Sequence, residues 1–439
     1  MANRIYLCLA HMSEAGLEQK YIQEAFDTNW VAPLGPNVNG FEEDLKAFVG
    51  QGKEVVALTT GTAAVHLSLI ACGVEPGDEV ITQSFTFCAS AHPVTYLGAT
   101  PVFVDSEKET WNMDPDLLEE AIKDRIAKTG KKPKVIMPVA LYGMPYQIDR
   151  ILEIANRYDI PVVEDAAEGF GSRYDGQVLG TFGRYGILSF NGNKMITTSG
   201  GGALICPNKE EGERVMWYAT QARESYPYYQ HETIGYNYRM SNICAGIGRG
   251  QMTIVNEHIA HHQHVHQLYV ELFSKIDGIE VHSQPANGRY ASNYWLTSIT
   301  IDENLKIKGQ ENAYKEIITS PVGGVPAVIH AASSARTDCQ PNDNVEALRM
   351  ALEKAGIESR PLWKPMHKQP VYCRTNEKLG MRNEELSHGI IRQTSATSVA
   401  YVNGVSENIF KKGMCLPAGP WVKDEDVKRI VETIKANII

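Results

Sequence analysis

The sequence predicts an α/β protein: a mostly parallel sheet covered by helices on both faces, followed by a smaller C-terminal α/β domain. Three observations predict it. Short apolar runs at 54–60, 79–83, 101–105, 134–140, 161–165, 186–190 and 202–206 read as strands, with helical stretches such as 62–72 and 114–128 between most of them. Thr62, Phe87, Asp165 and Lys194 all fall just past strand ends, where open α/β sheets bind their ligands. The 439 residues are enough to bury a large core and to make two or three domains.

Composition narrows the classes further. The chain is 43% hydrophobic and 21% charged, ordinary values for a globular protein, and carries a formal net charge of -10. That balance argues against a general nucleic-acid or membrane-surface role, both of which want basic surface. The eight cysteines stand singly without a C-x-x-C pair, which fits a reducing cytoplasm better than a disulfide framework or a zinc ribbon. No targeting segment is evident: IYLCLA near the N-terminus is too short for a secretory core and is broken by His11 and Glu14. The most apolar stretch, 55–74, is interrupted by Gly61, His66 and several hydroxyls and reads as strand plus buried helix.

In chain order, residues 14–27 form an amphipathic helix, and NWVAPLGPNVNG is a Pro/Gly loop leading to a helix that starts near Gly40. The strand–helix alternation follows to residue 205, after which the pattern turns helical, with a helix starting near Ser241. Residues 255–272 hold five histidines, of which His258, His262 and His266 are four apart. They share a helix face on which two could hold a metal. No carboxylate constellation completes such a site, so a solvated helix is expected and no metal. The C-terminal part mixes strands at 279–282, 294–301, 357–360 and 414–416 with helices at 344–355 and 424–437. The expected division is a large domain over 1–275, with an N-terminal arm over 1–40, and a small domain over 276–439. Residues 303–343, rich in Gly, Pro, Ser and Asp, read as an insertion or rebuilt loop.

The chemistry concentrates in three stretches. In ILSFNGNKMITTSGGGALI, residues 187–205, Lys194 lies between a strand and the run Gly200–Gly202. Taken alone, a lysine beside glycines is more often a solvated turn; placed at the end of a buried element it is a candidate for Schiff-base chemistry. Upstream, VVEDAAEGFGS ends a buried strand in acids, including Asp165 and then Glu168, and a buried carboxylate needs a partner. The protonated ring nitrogen of pyridoxal 5′-phosphate (PLP) is such a partner, although Asp165 can also be read as a helix N-cap. In ALTTGTAAVHL, a strand runs into Gly61, Thr62 and Ala63 at a helix start, where free amides and a hydroxyl can hold a phosphate. Neither Walker nor dinucleotide glycine spacing is present.

The set TTGTAAVHL, DEVITQSFTFCASAHPVTYLGATPVFVD, VVEDAAEGFGS, SFNGNK…SGGGAL and GYNYRMSNICAGIG resembles the DegT/DnrJ/EryC1/StrS family of PLP-dependent nucleotide-sugar aminotransferases, in family order over nearly the whole chain. RPLWKPMHKQPVY looks most like the branch that aminates C4 of UDP-4-keto-6-deoxy-N-acetylglucosamine, as in bacillosamine synthesis. The resemblance implies PLP fold-type I, the aspartate aminotransferase-like fold, and glutamate as amino donor. It makes Lys194 and Asp165 catalytic. It places Gly61, Thr62, Ala63, Ser189 and Asn237 at the phosphate, Asn237 reaching in from a partner subunit, and Phe87 and Glu168 against the two faces of the ring. Many relatives carry Gln or His where Glu168 stands. It makes Arg239, facing the diphosphate, and His367, in WKPMH, substrate candidates. The Pro/Gly loop borders the active site in that family, so Trp30 is a sugar contact or, in the commoner role, packs beneath the loop. A homodimer with shared active sites is implied, with no nucleic acid or membrane partner. Two other readings remain at this stage. One is a sugar dehydratase of the same fold, a type in which histidine replaces the lysine. The other is a non-catalytic regulatory or binding protein.

Overall fold

The structure, a computed structural model, describes residues 4–314, 339–373, 382–386 and 389–439. Most of the expected insertion over 303–343, His330 included, lies outside the described residues.

One mixed sheet organises the molecule. Strands Glu54–Leu58, Gly202–Cys206, Tyr185–Ser189 and Val163–Asp165 lie side by side in that order. Parallel bridges Ile136–Val162 and Val139–Asp165 continue them into Val135–Met137, Glu79–Gln83 and Thr100–Val104. Every expected strand is present, and the central pairings are parallel. Strand Gly202–Cys206 departs from the parallel expectation and runs antiparallel to both neighbours. The reason is the connection. A parallel return needs a crossover of about a dozen residues or more, usually a helix, whereas the chain between Ser189 and Gly202 folds as a tight loop holding itself together through Thr198 N to Phe190 O and Phe190 N to Gly201 O, both 2.9 Å. Lys194 rides on that loop. Strands Glu54–Leu58, Tyr185–Ser189, Val163–Asp165 and Glu79–Gln83 all point one way, so their carboxyl ends form one edge.

Helix starts obey local chemistry. Helix Gly61–Ala71 is capped by Thr60, whose side chain accepts from Ala63 N, and helix Pro115–Thr129 by Asp114, which accepts from Asp116 N and Leu117 N. Helix Pro36–Val49 begins four residues before the expected Gly40, because Pro36 at the first helical position loses nothing by lacking an N–H.

The C-terminal part contains an antiparallel sheet of Ile279–Val281, Thr297–Ile301, Gly413–Leu416 and Arg360–Pro361. Its core joins Ile299 and Met414 to Tyr269 and Phe273 of helix Val255–Phe273, Leu348 of helix Asp343–Lys354 and Ile430 of helix Asp424–Asn437. One C-terminal segment joins the large sheet. Val399–Val402 pairs parallel with Thr100–Val104, and Ile391–Thr394 and Arg382–Glu385 extend that edge of the large sheet. Arg392 fixes the extension by pairing with Asp124 at 2.7 Å.

The face of helix Val255–Phe273 carrying His258, His262 and His266 is buried, at 4%, 0% and 3% exposure, and not solvated as expected. His258 bonds Met195 O at 3.1 Å, and His266 stacks on Tyr294 at 3.6 Å. These rings serve as flat core side chains. Among the described residues no group of three or more His, Cys, Asp or Glu is arranged to hold a metal ion, and no helix is long and apolar enough to cross a membrane.

Candidate active site

Three strand ends and one loop bring the site together. Asp165, the last residue of its strand, is 6% exposed. Its carboxylate accepts a hydrogen bond from Ser90 Oγ at 2.6 Å and another from Ala167 N at 3.1 Å. Burial pushes its carboxyl up; the Ser90 hydroxyl, the Ala167 amide and the neighbouring Lys194 charge pull it back. A buried anion so arranged is suited to a cationic partner such as a protonated pyridine nitrogen.

Lys194 is anchored by its neighbours, since Met195 and Ile196 are buried in the core and Met195 O accepts from His258. Its Nζ lies 3.0 Å from Glu168 Oε1 and 4.1 Å over the ring of Trp295. Trp295 is pinned by donating its indole N–H to Asn193 O at 2.6 Å. Glu168 takes a second hydrogen bond from Tyr142 N at 2.8 Å. Burial pushes the Glu168 carboxyl up to about 7, against the pull of the Lys194 ammonium. Tyr142 holds that N–H in place with a left-handed backbone, φ 52°, costly for a bulky residue. Its hydroxyl in turn accepts from Trp363 N at 2.9 Å.

The helix start at Gly61 makes the third component. A Cβ on Gly61 would sit 3.0 Å from Ser189 Cβ and 3.3 Å from Ser189 Oγ, and one on Gly202 would collide with the Thr60–Gly61 backbone. Glycine is required at Gly202 and fits tightly at Gly61, so that the helix end can touch the sheet. The cap uses the Ala63 amide. Among the described residues the Gly61 and Thr62 amides and the Ser189 hydroxyl have no hydrogen-bond partner. Free amides at a helix start beside an unpaired hydroxyl are the donor set a phosphate takes. The hydroxyl that caps the helix is that of Thr60.

The remaining sequence candidates divide. Phe87 is 51% exposed, which excludes an ordinary core role, and its ring is 5.3 Å from Trp363. Trp30 is 41% exposed and so does not pack beneath its loop. Asn237 is exposed, on a bridge to Thr220. Arg239 does not stand free toward solvent: its Nη1 pairs with Glu42 at 3.1 Å with both side chains nearly buried. His367 is 3% exposed, held between Ser84 Oγ at 2.6 Å and Glu407 at 3.1 Å, and is a buried strut with no open face. It and Lys368 hold Glu407 at about 2 against the upward push of burial. Sequence reasoning passed over Ser90, Tyr142, Trp295 and Trp363. Ser90, inside DEVITQSFTFCASAHPVTYLGATPVFVD, and Trp363, inside RPLWKPMHKQPVY, stood in stretches the motifs marked; Tyr142 and Trp295 did not.

Residues 13–319 match the DegT/DnrJ/EryC1/StrS aminotransferase family. The chain belongs to that family. Two relatives of this DegT-family chain align along nearly all of it. It is 40% identical over 434 residues to EpsN of Bacillus subtilis, which is named as a pyridoxal phosphate-dependent aminotransferase, covering 99% of this chain and 96% of that one. It is 30% identical over 429 residues to the GDP-perosamine synthase of Escherichia coli O157:H7, covering 98% of each. The crystal structure of a DegT/DnrJ/EryC1/StrS aminotransferase from Brucella abortus superposes with a TM-score of 0.76 at 26% identity, over 96% of this chain and 95% of that one. The fold is PLP fold-type I, and the protein is a PLP-dependent sugar aminotransferase. The dehydratase and non-catalytic readings fall away. The donor set fits PLP: an anion for the ring nitrogen, an amine, and free amides with a hydroxyl for the phosphate.

Proposed function

We propose that the enzyme moves an amino group from glutamate to C4 of a UDP-linked 4-keto-6-deoxy sugar for surface-glycan or glycoprotein synthesis. The observation that carries the choice within the family is the stretch 360–372, the part most like the C4-aminating branch. It closes over the site: Trp363 donates its backbone N–H to Tyr142 at 2.9 Å and faces Phe87 at 5.3 Å.

PLP, when bound, supplies the electron sink for cleaving and remaking the bond to the substrate's reacting hydrogen. The chain's residues do the rest. Asp165 holds the ring-nitrogen proton, and its own acceptor oxygens are kept in place by Ser90 and Ala167. Lys194 would hold the cofactor through Nζ and, once free, would be the group that moves a proton at the substrate's reacting carbon. The Gly61 and Thr62 amides and the Ser189 hydroxyl would seat the phosphate, the expected Ala63 amide being taken by Thr60, with Asn237 contributed by a partner subunit. Phe87 and Trp363, backed by the buried rings of Tyr142 and Trp295, offer the faces on which a sugar ring would pack.

The test is a panel of UDP- and GDP-linked 3-keto and 4-keto sugars incubated with holoenzyme and nitrogen-labelled glutamate, read by mass spectrometry. The UDP-4-keto-6-deoxy sugar is expected to take up the label fastest. Preference for a GDP sugar, the nucleotide in the name of the perosamine synthases, or for a 3-keto sugar would overturn the assignment.

A further inference from the structure

Lys194 forms a carbon–nitrogen double bond only as the neutral amine, so its ammonium must first give up a proton to some acceptor. The groups facing Nζ narrow the choice. Trp295 presents a ring face, which accepts no proton. The nearby thiols Cys8 and Cys415 are buried and each pushed up to about 12, which keeps them protonated. Tyr142 contributes a backbone N–H, a donor. Asp165 is already engaged by Ser90 and Ala167. Among the described residues, Glu168 Oε1 is the acceptor in hydrogen-bond contact with Nζ, at 3.0 Å.

We propose that Glu168 is a catalytic residue that takes the Lys194 ammonium proton as the amine engages the cofactor aldehyde, stores it, and returns it when a substrate amine displaces the lysine. The step balances. The ammonium and carboxylate become amine and carboxylic acid. The amine then joins the aldehyde carbon, and its two N–H hydrogens leave with the carbonyl oxygen as water. In release the substrate amine adds to the same carbon, its two N–H hydrogens pass to the departing lysine nitrogen, and the freed amine recovers its third proton from Glu168.

Electrostatics favour the transfer. Before loading, Glu168 is 4% exposed, and its counter-charge is the Lys194 ammonium. Once that charge is gone, the carboxylate would be left buried with one amide bond from Tyr142, close to the like charge of Asp165. Protonation relieves the unpaired buried charge. The carboxyl is already pushed up to about 7 with the ammonium beside it, so losing the ammonium moves it higher still.

The inference rests on Lys194 being the residue that PLP loads, but not on any sugar or donor, so it is tested with PLP alone. Infrared difference spectra between apo and PLP-loaded protein are expected to gain a protonated-carboxyl stretch. E168Q, still loaded at Lys194, is expected to lack it. Borohydride trapping and peptide mass spectrometry report independently whether Lys194 carries the cofactor. Loading at Lys194 with no carboxyl band, or with a band that persists in E168Q, overturns the role of Glu168. Trapping at another lysine overturns the assignment of Lys194 instead. If E168Q does not fold, Glu168→Asp serves, because an aspartic acid in its place shifts the band; an unshifted band overturns the proposal.

Discussion

At the scale of single residues, the site depends on carboxylates whose surroundings set different tasks. Asp165 keeps two neutral donors, Ser90 and Ala167, and a charge that can face a cationic ring. Glu168 is tied to the moving amine. Asp165→Asn removes the charge while keeping the shape, and a neutral amide cannot hold the ring-nitrogen proton. It is expected to lower kcat by on the order of 100-fold or more, the scale at which one directed electrostatic partner is missed, with PLP retained weakly. Steady-state rates together with the visible spectrum of bound cofactor check this, and unchanged kcat would point to another acid. Both Asp165 and Lys194 were legible because each ends or follows a buried strand, a position that chain order alone reveals. Trp295 and Tyr142 were not. They touch Lys194 and Glu168 from 101 residues downstream and 26 upstream, and no spacing in the sequence links them. Arg239 shows the converse. Its motif marked it for a diphosphate, while Glu42, almost 200 residues earlier, supplies the charge it pairs with.

At the scale of elements, strands and helices were legible wherever an apolar run met a cap or a turn. The antiparallel strand Gly202–Cys206 was not, because direction is decided by a loop's closure and not by the strand's composition. The edge strands Arg382–Glu385 and Ile391–Thr394 were missed because they are polar and largely exposed, so no alternation marks them. Helix Val255–Phe273 was found, but its buried face was misjudged, since histidine is polar by type and here packs as a ring. That face has a pH consequence. Burial holds His262 at about 3, with neither ring nitrogen partnered, and His266 at about 4; His282, stacked on Trp111 at 3.7 Å, is also held at about 3. Unfolding restores each to about 6.5, so the unfolded chain binds more protons than the folded one between those values. Stability therefore falls as pH drops below about 6.5, by about 1.4 kcal/mol per pH unit for each such histidine. Glu168 works in the opposite direction between its unfolded value near 4.5 and about 7, so the raw slope mixes both. His262→Leu isolates the effect. Between pH 6.5 and 5, wild type is expected to lose about 1 kcal/mol per unit more than the variant in urea unfolding. Equal slopes would mean that His262 is charged in the folded protein.

At the scale of the whole molecule, two segments leave large apolar side chains uncovered. Phe26, Trp30, Val31 and Leu34 lie in or beside the Pro/Gly loop, and Tyr226, Tyr228, Tyr229 and Ile234 precede the GYNYRMSN turn. Asn242 ties the turn's helix to the loop, donating to Trp30 O at 2.9 Å. Exposed apolar surface on this scale marks an interaction face, and Asn237 stands exposed beside it. The prediction is a homodimer in which Asn237 completes the partner's site. Complementation tests it. A Lys194→Ala chain is dead at its own site, and Asn237→Asp sets a negative charge where the partner's phosphate is expected. Arg239 is left intact, because removing it would strand the buried Glu42. In a heterodimer of the two variants, one site collects both defects and the other collects neither. Refolding the variants together is then expected to restore up to about a quarter of wild-type activity, since random mixing puts half the chains into heterodimers with one working site of two. If Asn237 serves its own chain, every site stays defective, and heterodimers shown by mass spectrometry without recovered activity would overturn the shared site.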